Sequence, residues 1–262
     1  MPRFRRAALP AFAATTLLTL VGCAPASSTA AAIDADALPA VLTDARQLLV
    51  VTTPGWDVVA GELRRYERAS ASGAWTAVGT PIGIVVGKNG MAWDPALVPV
   101  IPGSAKREGD GRAPAGAFAL GTAFGLAAPA EAAWLKLPYL QEIATLECVD
   151  DPASAHYNRL VDRAAIATVD WNSSEKMAQV GEAYRWGVVV EYNTGPPIAG
   201  QGSCIFLHVS PTPGNGTAGC TAMPAPALDE VMRWLDPARR PALVQMPAAA
   251  RAALSGAWKL PA

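Results

Sequence analysis

The side chains best suited to chemistry are two cysteines and a histidine that lie close together in residues 202–224. The whole chain has only four cysteines and two histidines, so this stretch concentrates its most reactive groups. A cysteine thiol becomes a strong nucleophile when a base, usually histidine, takes its proton. His208 and Cys220 are joined by a loop rich in proline and glycine, which would let the two side chains meet. The pattern favours a cysteine–histidine site, although a lone histidine in a strand is often only a core residue.

Sequence context separates Cys220 from the other cysteines. It follows Gly219 between a glycine-rich loop and a helix start, and a glycine there lets backbone amides approach a reacting carbonyl. Cys148 and Cys204 lie in apolar, strand-like runs, ATLECVD and SCIFLHV. With Cys23 assigned to lipid attachment, three cysteines remain, and an oxidising compartment permits one bridge. We predict a Cys148–Cys204 disulfide that leaves Cys220 free; the alternative is two separately buried thiols.

The N-terminus indicates the compartment. Three arginines among the first six residues precede about 15 mostly apolar residues, which is too short for a membrane span and typical of a signal peptide. Residues 20–23 (LVGC) resemble a bacterial lipobox; the alternative is an ordinary secretory signal with an incidental cysteine. We expect a lipoprotein signal peptide at 1–22, a lipidated Cys23, a flexible tether at 23–42 and a lipid-anchored location in the bacterial envelope, facing the periplasm.

The remaining residues, 43–262, are long enough for one domain with a sizeable core. Short apolar runs bounded by turn residues predict strands, and two stretches predict helices, one capped by Ser174 and running to about residue 184, the other following Pro226. The fold class expected is mainly β (α+β). The predicted strands are 47–53, 82–86, 117–120, 143–149, 186–192, 203–209 and 242–246.

Charge and motifs exclude several classes of function. The formal net charge is −1 without blocks of like charge, so we expect no nucleic-acid partner, and we expect a monomer. The S-x-x-K match at residues 173–176 lacks the K-T-G and S-D-N partners of penicillin-binding proteins, so it is interpreted as a capped helix start. His156 and His208 stand far apart and no C-x-x-C occurs, so neither a metal nor another cofactor is expected. The G-D-G at 109–111 is interpreted as a turn, not a calcium or phosphate loop.

The segment FLHV…GTAGCTAM resembles the active-site signature of L,D-transpeptidases with a YkuD-type catalytic domain. SAKREGDGRAPAGAFAL is similar to the glycine-rich segment of that family, and VVGKNGMAW and CVDDPASAHYNRLVD are similar to a secreted bacterial branch. The resemblance extends over residues 47–246. It implies a single L,D-transpeptidase-like β-sandwich catalytic domain with a few short helices.

The resemblance also implies residue roles. Cys220 would be the nucleophile and His208 its base, with Thr217 at the Ser/Thr position and Gly219 beside the oxyanion site. The family usually has polar residues where this chain has Ala218 and Ala222. A cation for the substrate could then come from Arg112 or Arg159. The residues expected to shape the substrate groove are Tyr157, Asn158, Arg159 and Arg112.

The implied substrate is a peptidoglycan stem peptide, which places the protein in cell-wall organisation and cell shape. The thiolate would attack the amide between the third residue, a diamino acid, and the D-alanine at the fourth, release the D-alanine and form a thioester. A neighbouring stem amine would then give a crosslink, and water would give carboxypeptidase activity. The alternative is a lipid-anchored envelope protein that binds peptidoglycan without catalysis.

Overall fold

The structure is a computed structural model that describes residues 37–98, 101, 103–210 and 214–262. The predicted signal peptide, Cys23 and the tether as far as residue 36 lie outside the described residues. Residues 40–42, assigned to the tether by sequence, belong to a short helix, and Leu42 is buried in the core. The packed domain therefore begins slightly before residue 43. Within the described ranges, no helix has the length and apolar character needed to cross a membrane.

The described residues form thirteen strands and four α-helices, with three 3-10 helices between them. The strands are β1 (Gln47–Thr53), β2 (Ala60–Glu67), β3 (Thr76–Val85), β4 (Met91–Trp93), β5 (Ala113–Gly125), β6 (Tyr139–Gln141), β7 (Leu146–Val149), β8 (Leu160–Asp162), β9 (Ser174–Lys176), β10 (Trp186–Val190), β11 (Phe206–Val209), β12 (Thr221–Met223) and β13 (Pro241–Pro247). The helices are α1 (Ala40–Thr43), α2 (Met177–Val180), α3 (Ala225–Trp234) and α4 (Ala248–Leu254), and the 3-10 helices are Arg163–Ala165, Gly181–Tyr184 and Pro237–Arg239.

Eight strands close into a barrel-like sheet in the order β10-β11-β12-β3-β2-β1-β13-β5, with β5 returning to pair with β10. β1 and β13 run parallel, as do β11 and β12, and the remaining neighbours in this ring are antiparallel. Closure matters because an open strand edge exposes unpaired N–H and C=O groups. β4 and β6 extend the sheet from β5, while β7, β8 and β9 form a separate three-stranded sheet.

The core follows from the apolar strands and one amphipathic helix. β1 is buried along nearly its whole length, which explains why residues 48–51 are all apolar and do not alternate with polar residues. α3 places Leu228, Val231 and Met232 in the main hydrophobic cluster, at the helical spacing that the sequence shows. Burial of side chains of this size stabilises the fold by about 1.5–3 kcal/mol each.

The prediction of a mainly β domain is confirmed, and so are β1 and the helix in the region of Pro226. The predicted strand 203–209 begins only at residue 206, because Cys204 adopts a left-handed backbone with φ +55°. The helix predicted to start at Ser174 is wrong. Residues 174–176 form β9, which pairs with β7, and only two short helical pieces follow, broken at Gly181 where φ is +72°. The capped-helix interpretation of the S-x-x-K match is wrong for the same reason.

Candidate active site

Cys220 stands at the end of a fixed turn, immediately before β12. The Thr217 hydroxyl donates to the Cys220 carbonyl at 2.7 Å and accepts from the Gly219 amide at 3.1 Å. The backbone of Thr217 is bonded on both sides, from its amide to Val86 and from the Lys88 amide to its carbonyl. These bonds anchor the turn to the end of β3. The threonine therefore sets the position of the cysteine through local hydrogen bonds.

Parallel pairing brings the histidine to the same place. β11 carries His208 beside Ala222 of β12, two residues beyond Cys220. One cavity of about 410 Å³ is lined by all four residues that the resemblance assigns to catalysis: Cys220, His208, Thr217 and Gly219. Charged and aromatic residues from earlier parts of the chain also line it. These are Lys106, Glu108, Asp150 and, nearer in sequence, Glu175 and Tyr184.

The Cys220 thiol is buried and hydrogen-bonded in its resting state. Its Sγ donates to the Cys204 carbonyl at 3.4 Å and accepts from the Phe206 amide at 3.3 Å. Burial raises the pKa of the Cys220 thiol far above its ordinary value, and the carboxylate of Glu175 acts in the same direction. Hydrogen bonds from the Phe206 amide and the Tyr184 hydroxyl favour the thiolate but do not outweigh burial. The resting site therefore holds a neutral thiol.

His208 is held in one tautomer by its own neighbour. Its Nδ1 donates to the Val209 carbonyl at 2.8 Å, which leaves Nε2 as the proton acceptor. Burial lowers the pKa of the imidazole, an effect opposed by the carbonyls of Val209 and Ala183. The ring is therefore neutral near pH 7, as a general base must be. Among the described residues no hydrogen bond joins His208 to Cys220, although both side chains line the same cavity.

Two residues that the sequence did not indicate lie against the thiol. The Tyr184 hydroxyl donates to Glu175 Oε2 at 2.7 Å, and both side chains line the cavity. Burial raises the pKa of Glu175 to about 7, with Asp150 and Glu108 acting in the same direction and the Tyr184 bond opposing them. The sequence predicted one helix through both residues. Their convergence depends on β9 and a broken helical segment, which no local pattern signals.

Another part of the wall is organised around Glu108. Its Oε2 accepts hydrogen bonds from the Ser203 hydroxyl at 2.7 Å and from the Tyr157 hydroxyl. Tyr157 is 2% exposed, so it supports the wall from behind and does not line the cavity. Burial raises the pKa of the Tyr157 phenol well above its ordinary value, with the bond to Glu108 acting in the same direction. The tyrosine thus contributes to the site only through the carboxylate that it holds.

The other three predicted groove residues do not line this cavity. Asn158 is buried, donates to the Tyr192 carbonyl and accepts from the Cys204 amide at 2.9 Å, so it positions the backbone beside Cys220. Arg159 lines a separate cavity. Arg112 turns away to pair with Asp57 at 2.7 Å.

The cation of the cavity is Lys106. Its side chain is buried and its ammonium pairs with Asp110 at 2.7 Å. The charge of Lys106 also lowers the pKa of the Cys220 thiol, against the larger effect of burial. The positive charge in the cavity therefore comes from Lys106, and not from Arg112 or Arg159 as the sequence predicted. Lys106 belongs to the glycine-rich segment, but its buried position could not be seen in the sequence.

The disulfide between Cys148 and Cys204 is present, and the prediction is confirmed. It joins β7 to Cys204, whose carbonyl accepts the hydrogen bond from the Cys220 thiol. Within the part of the chain that the structure describes, Cys220 is the free cysteine.

Among the same residues no cluster of histidine, cysteine and carboxylate side chains could hold a metal ion. Neither a protein-family model, nor a curated protein, nor a solved structure gives a significant match to this chain.

Proposed function

We propose that the protein is a cysteine-dependent acyltransferase of the L,D-transpeptidase type that acts on peptidoglycan stem peptides. The observation that carries the proposal is the cavity that brings Cys220, His208, Thr217 and Gly219 together. These are the positions to which the resemblance assigns the catalytic groups. The proposal includes an L,D-transpeptidase-like β-sandwich as the family fold, a lipid anchor at Cys23, and a monomer facing the periplasm.

In the proposed reaction, Cys220 loses its proton to a base, which we assign to His208 because its ring is neutral and its Nε2 carries no proton. The thiolate attacks the carbonyl between the diamino acid and D-alanine, the base returns the proton to the leaving amine, and a thioester remains. An amine of a second stem, or water, then releases the acyl group. The chemistry that these residues supply is nucleophilic and acid–base, with no cofactor assigned.

The developing oxyanion needs backbone donors close to Cys220. The Gly219 amide already donates to the Thr217 hydroxyl at 3.1 Å. We therefore assign the principal oxyanion donor to the Cys220 amide, with Thr217 and Gly219 holding the turn that presents it. Space at Gly219 is also tight, because a Cβ there would stand 3.1 Å from the Arg112 carbonyl oxygen.

The test is incubation of the purified protein with tetrapeptide muropeptides, followed by mass spectrometry of the products. We expect loss of D-alanine with formation of crosslinked or tripeptide products. Cys220→Ser should keep the fold and lower turnover by several orders of magnitude, because the site is built for a thiol. A carbapenem should add one covalent adduct at Cys220. Near-wild-type turnover by Cys220→Ser would refute the assignment.

A non-catalytic peptidoglycan-binding protein is the second candidate, favoured by the neutral, buried thiol and by Ala218 and Ala222. In that case the protein would bind isolated cell wall equally well before and after alkylation of Cys220. It would also release no D-alanine. The same muropeptide experiment therefore separates the two functions.

A further inference from the structure

The hydrogen-bond surroundings of Cys220 lead to Tyr184 and Glu175 and not to His208. We propose that these two residues form a second proton path for Cys220, in which Tyr184 is the catalytic residue that contacts the sulfur and Glu175 takes up the proton through it. The consequence for turnover rests on the proposed acyl transfer. The proton path itself can be measured on the thiol without any substrate.

The position of the Tyr184 hydroxyl is fixed by rings packed around it. Its ring makes edge-to-face contacts with Phe124, Phe206 and His208, at centroid distances of 5.6, 5.6 and 5.2 Å. Tyr184 and Cys220 belong to the same buried cluster. With the ring held in this way, the hydroxyl reaches Glu175 Oε2 at 2.7 Å and stands within hydrogen-bonding reach of Cys220 Sγ. The hydroxyl therefore lies between the thiol and the carboxylate.

Both ends of the path are tied to each other through the backbone. Glu175 on β9 is the register partner of Cys148 on β7. The disulfide joins Cys148 to Cys204, and the Cys204 carbonyl accepts from the Cys220 thiol at 3.4 Å. A strand pair, a covalent bond and a hydrogen bond thus fix the carboxylate relative to the thiol. Such support is what a proton path requires, because transfer depends on heavy-atom distances near 3 Å.

The step moves two protons and conserves charge. The Cys220 S–H turns from the Cys204 carbonyl to the Tyr184 oxygen, and its proton passes to that oxygen as the Tyr184 O–H proton passes to Glu175 Oε2. A thiol and a carboxylate become a thiolate and a carboxylic acid, and tyrosine stays neutral throughout. In the product, Tyr184 donates to the thiolate and protonated Glu175 donates to Tyr184. No co-reactant is needed, and the proton on Glu175 can return by the same route.

The charges around the pair suit this exchange. Glu108 and Asp150 face Glu175 and favour its protonated form, while Lys106 favours the Cys220 thiolate and the neutral His208 adds no charge. With its pKa raised to about 7, Glu175 is a stronger proton acceptor than an ordinary carboxylate. The path therefore has an acceptor matched to neutral conditions.

The experiment measures the rate at which iodoacetamide alkylates Cys220 in the full chain, at pH 5 to 10, by mass spectrometry of the Cys220 peptide. Two groups that share one proton titrate as a pair. In the wild type, the rate should rise up to about pH 7 and then stay level, because the pair keeps one shared proton above that pH. In Glu175→Gln, whose amide oxygen still accepts from Tyr184, the level region should disappear and the rate should rise about tenfold per pH unit.

Tyr184→Phe tests the middle of the path and keeps the ring contacts. It removes the donor to the thiolate, so the level rate should fall about tenfold or more. Glu182→Gln, on an exposed carboxylate two residues from Tyr184, is the control and should follow the wild-type profile. In turnover of muropeptides, Glu175→Gln should lower kcat at least tenfold and leave KM unchanged.

The outcomes separate the two proposals. A level region that Glu175→Gln abolishes, in a protein that turns over no muropeptide, supports the proton path and refutes the acyl transfer. Cys220-dependent turnover with identical alkylation profiles for wild type and Glu175→Gln refutes the proton path and keeps the acyl transfer. Unchanged alkylation in Tyr184→Phe also refutes the path.

Discussion

Replacing both Cys148 and Cys204 with alanine should destabilise the domain by about 4 kcal/mol. The bond links residues 56 positions apart, and opening a loop of that length restores conformational freedom mainly to the unfolded chain. The chain-entropy relation gives about 4 kcal/mol at 25 °C for this length. Both sulfurs are buried, so the small cavities left by alanine add to the loss and do not offset it.

The assay is urea unfolding of the wild type and the double variant, followed by tryptophan fluorescence. The unfolding midpoint should fall, and the slope m should rise because the unlinked chain exposes more surface. Among residues 37–262, wild-type protein unfolded without reductant should show one reactive thiol, that of Cys220. The double variant should show the same single thiol. A loss under about 1 kcal/mol with an unchanged m would refute the reasoning, as would three reactive thiols in the wild type.

Two other predictions concern buried titratable groups. Glu142 is 5% exposed, neither of its carboxylate oxygens has a hydrogen-bond partner among the described residues, and burial raises its pKa to about 8. The folded state therefore retains a proton that the unfolded state loses, so the free energy of unfolding of the wild type falls as pH rises from about 4.5 to 8. Glu142→Gln should remove this fall and be more stable than the wild type by a few kcal/mol at pH 9. Parallel curves of stability against pH for the two proteins would contradict the prediction. Because burial lowers the pKa of His208, its protonation should add an acid limb below pH 6.5, separate from the limb near pH 7 expected from Glu175. His208→Ala should remove the lower limb, while His156→Ala keeps both; equal losses from both variants would exclude this division of roles.

The parts of the fold that depend on local pattern could be predicted. β1 contains the apolar run 48–51, α3 has its buried residues at helical spacing after a proline, and the two disulfide cysteines lie in apolar segments. β2 was missed because Arg65 interrupts its apolar pattern. That arginine is buried and paired with Glu230, at 2.5 Å and 165 positions away, which no local window can show.

The candidate site also has residues that local sequence predicts and residues that it does not. Cys220 and His208 could be found because a loop of a dozen residues joins them, and the parallel pairing of β11 and β12 brings them to one cavity. Glu175 was hidden because a three-residue polar strand has no pattern of its own and exists through its pairing with β7. The prediction that Arg112 lines the site failed because its guanidinium forms an ion pair with Asp57, which is distant in sequence.

The pairing of β1 with β13 determines when the barrel can form during synthesis. β13 lies between β1 and β5, and it is the last of the described strands in sequence order. Until residue 247 has been made, β1 and β5 each present an unpaired edge, which can join another chain. The contacts that close the ring also span nearly the whole domain, and such non-local pairing is slow to form. Ending the chain before β13 would therefore leave two open edges on an incomplete sheet, and aggregation would compete with folding.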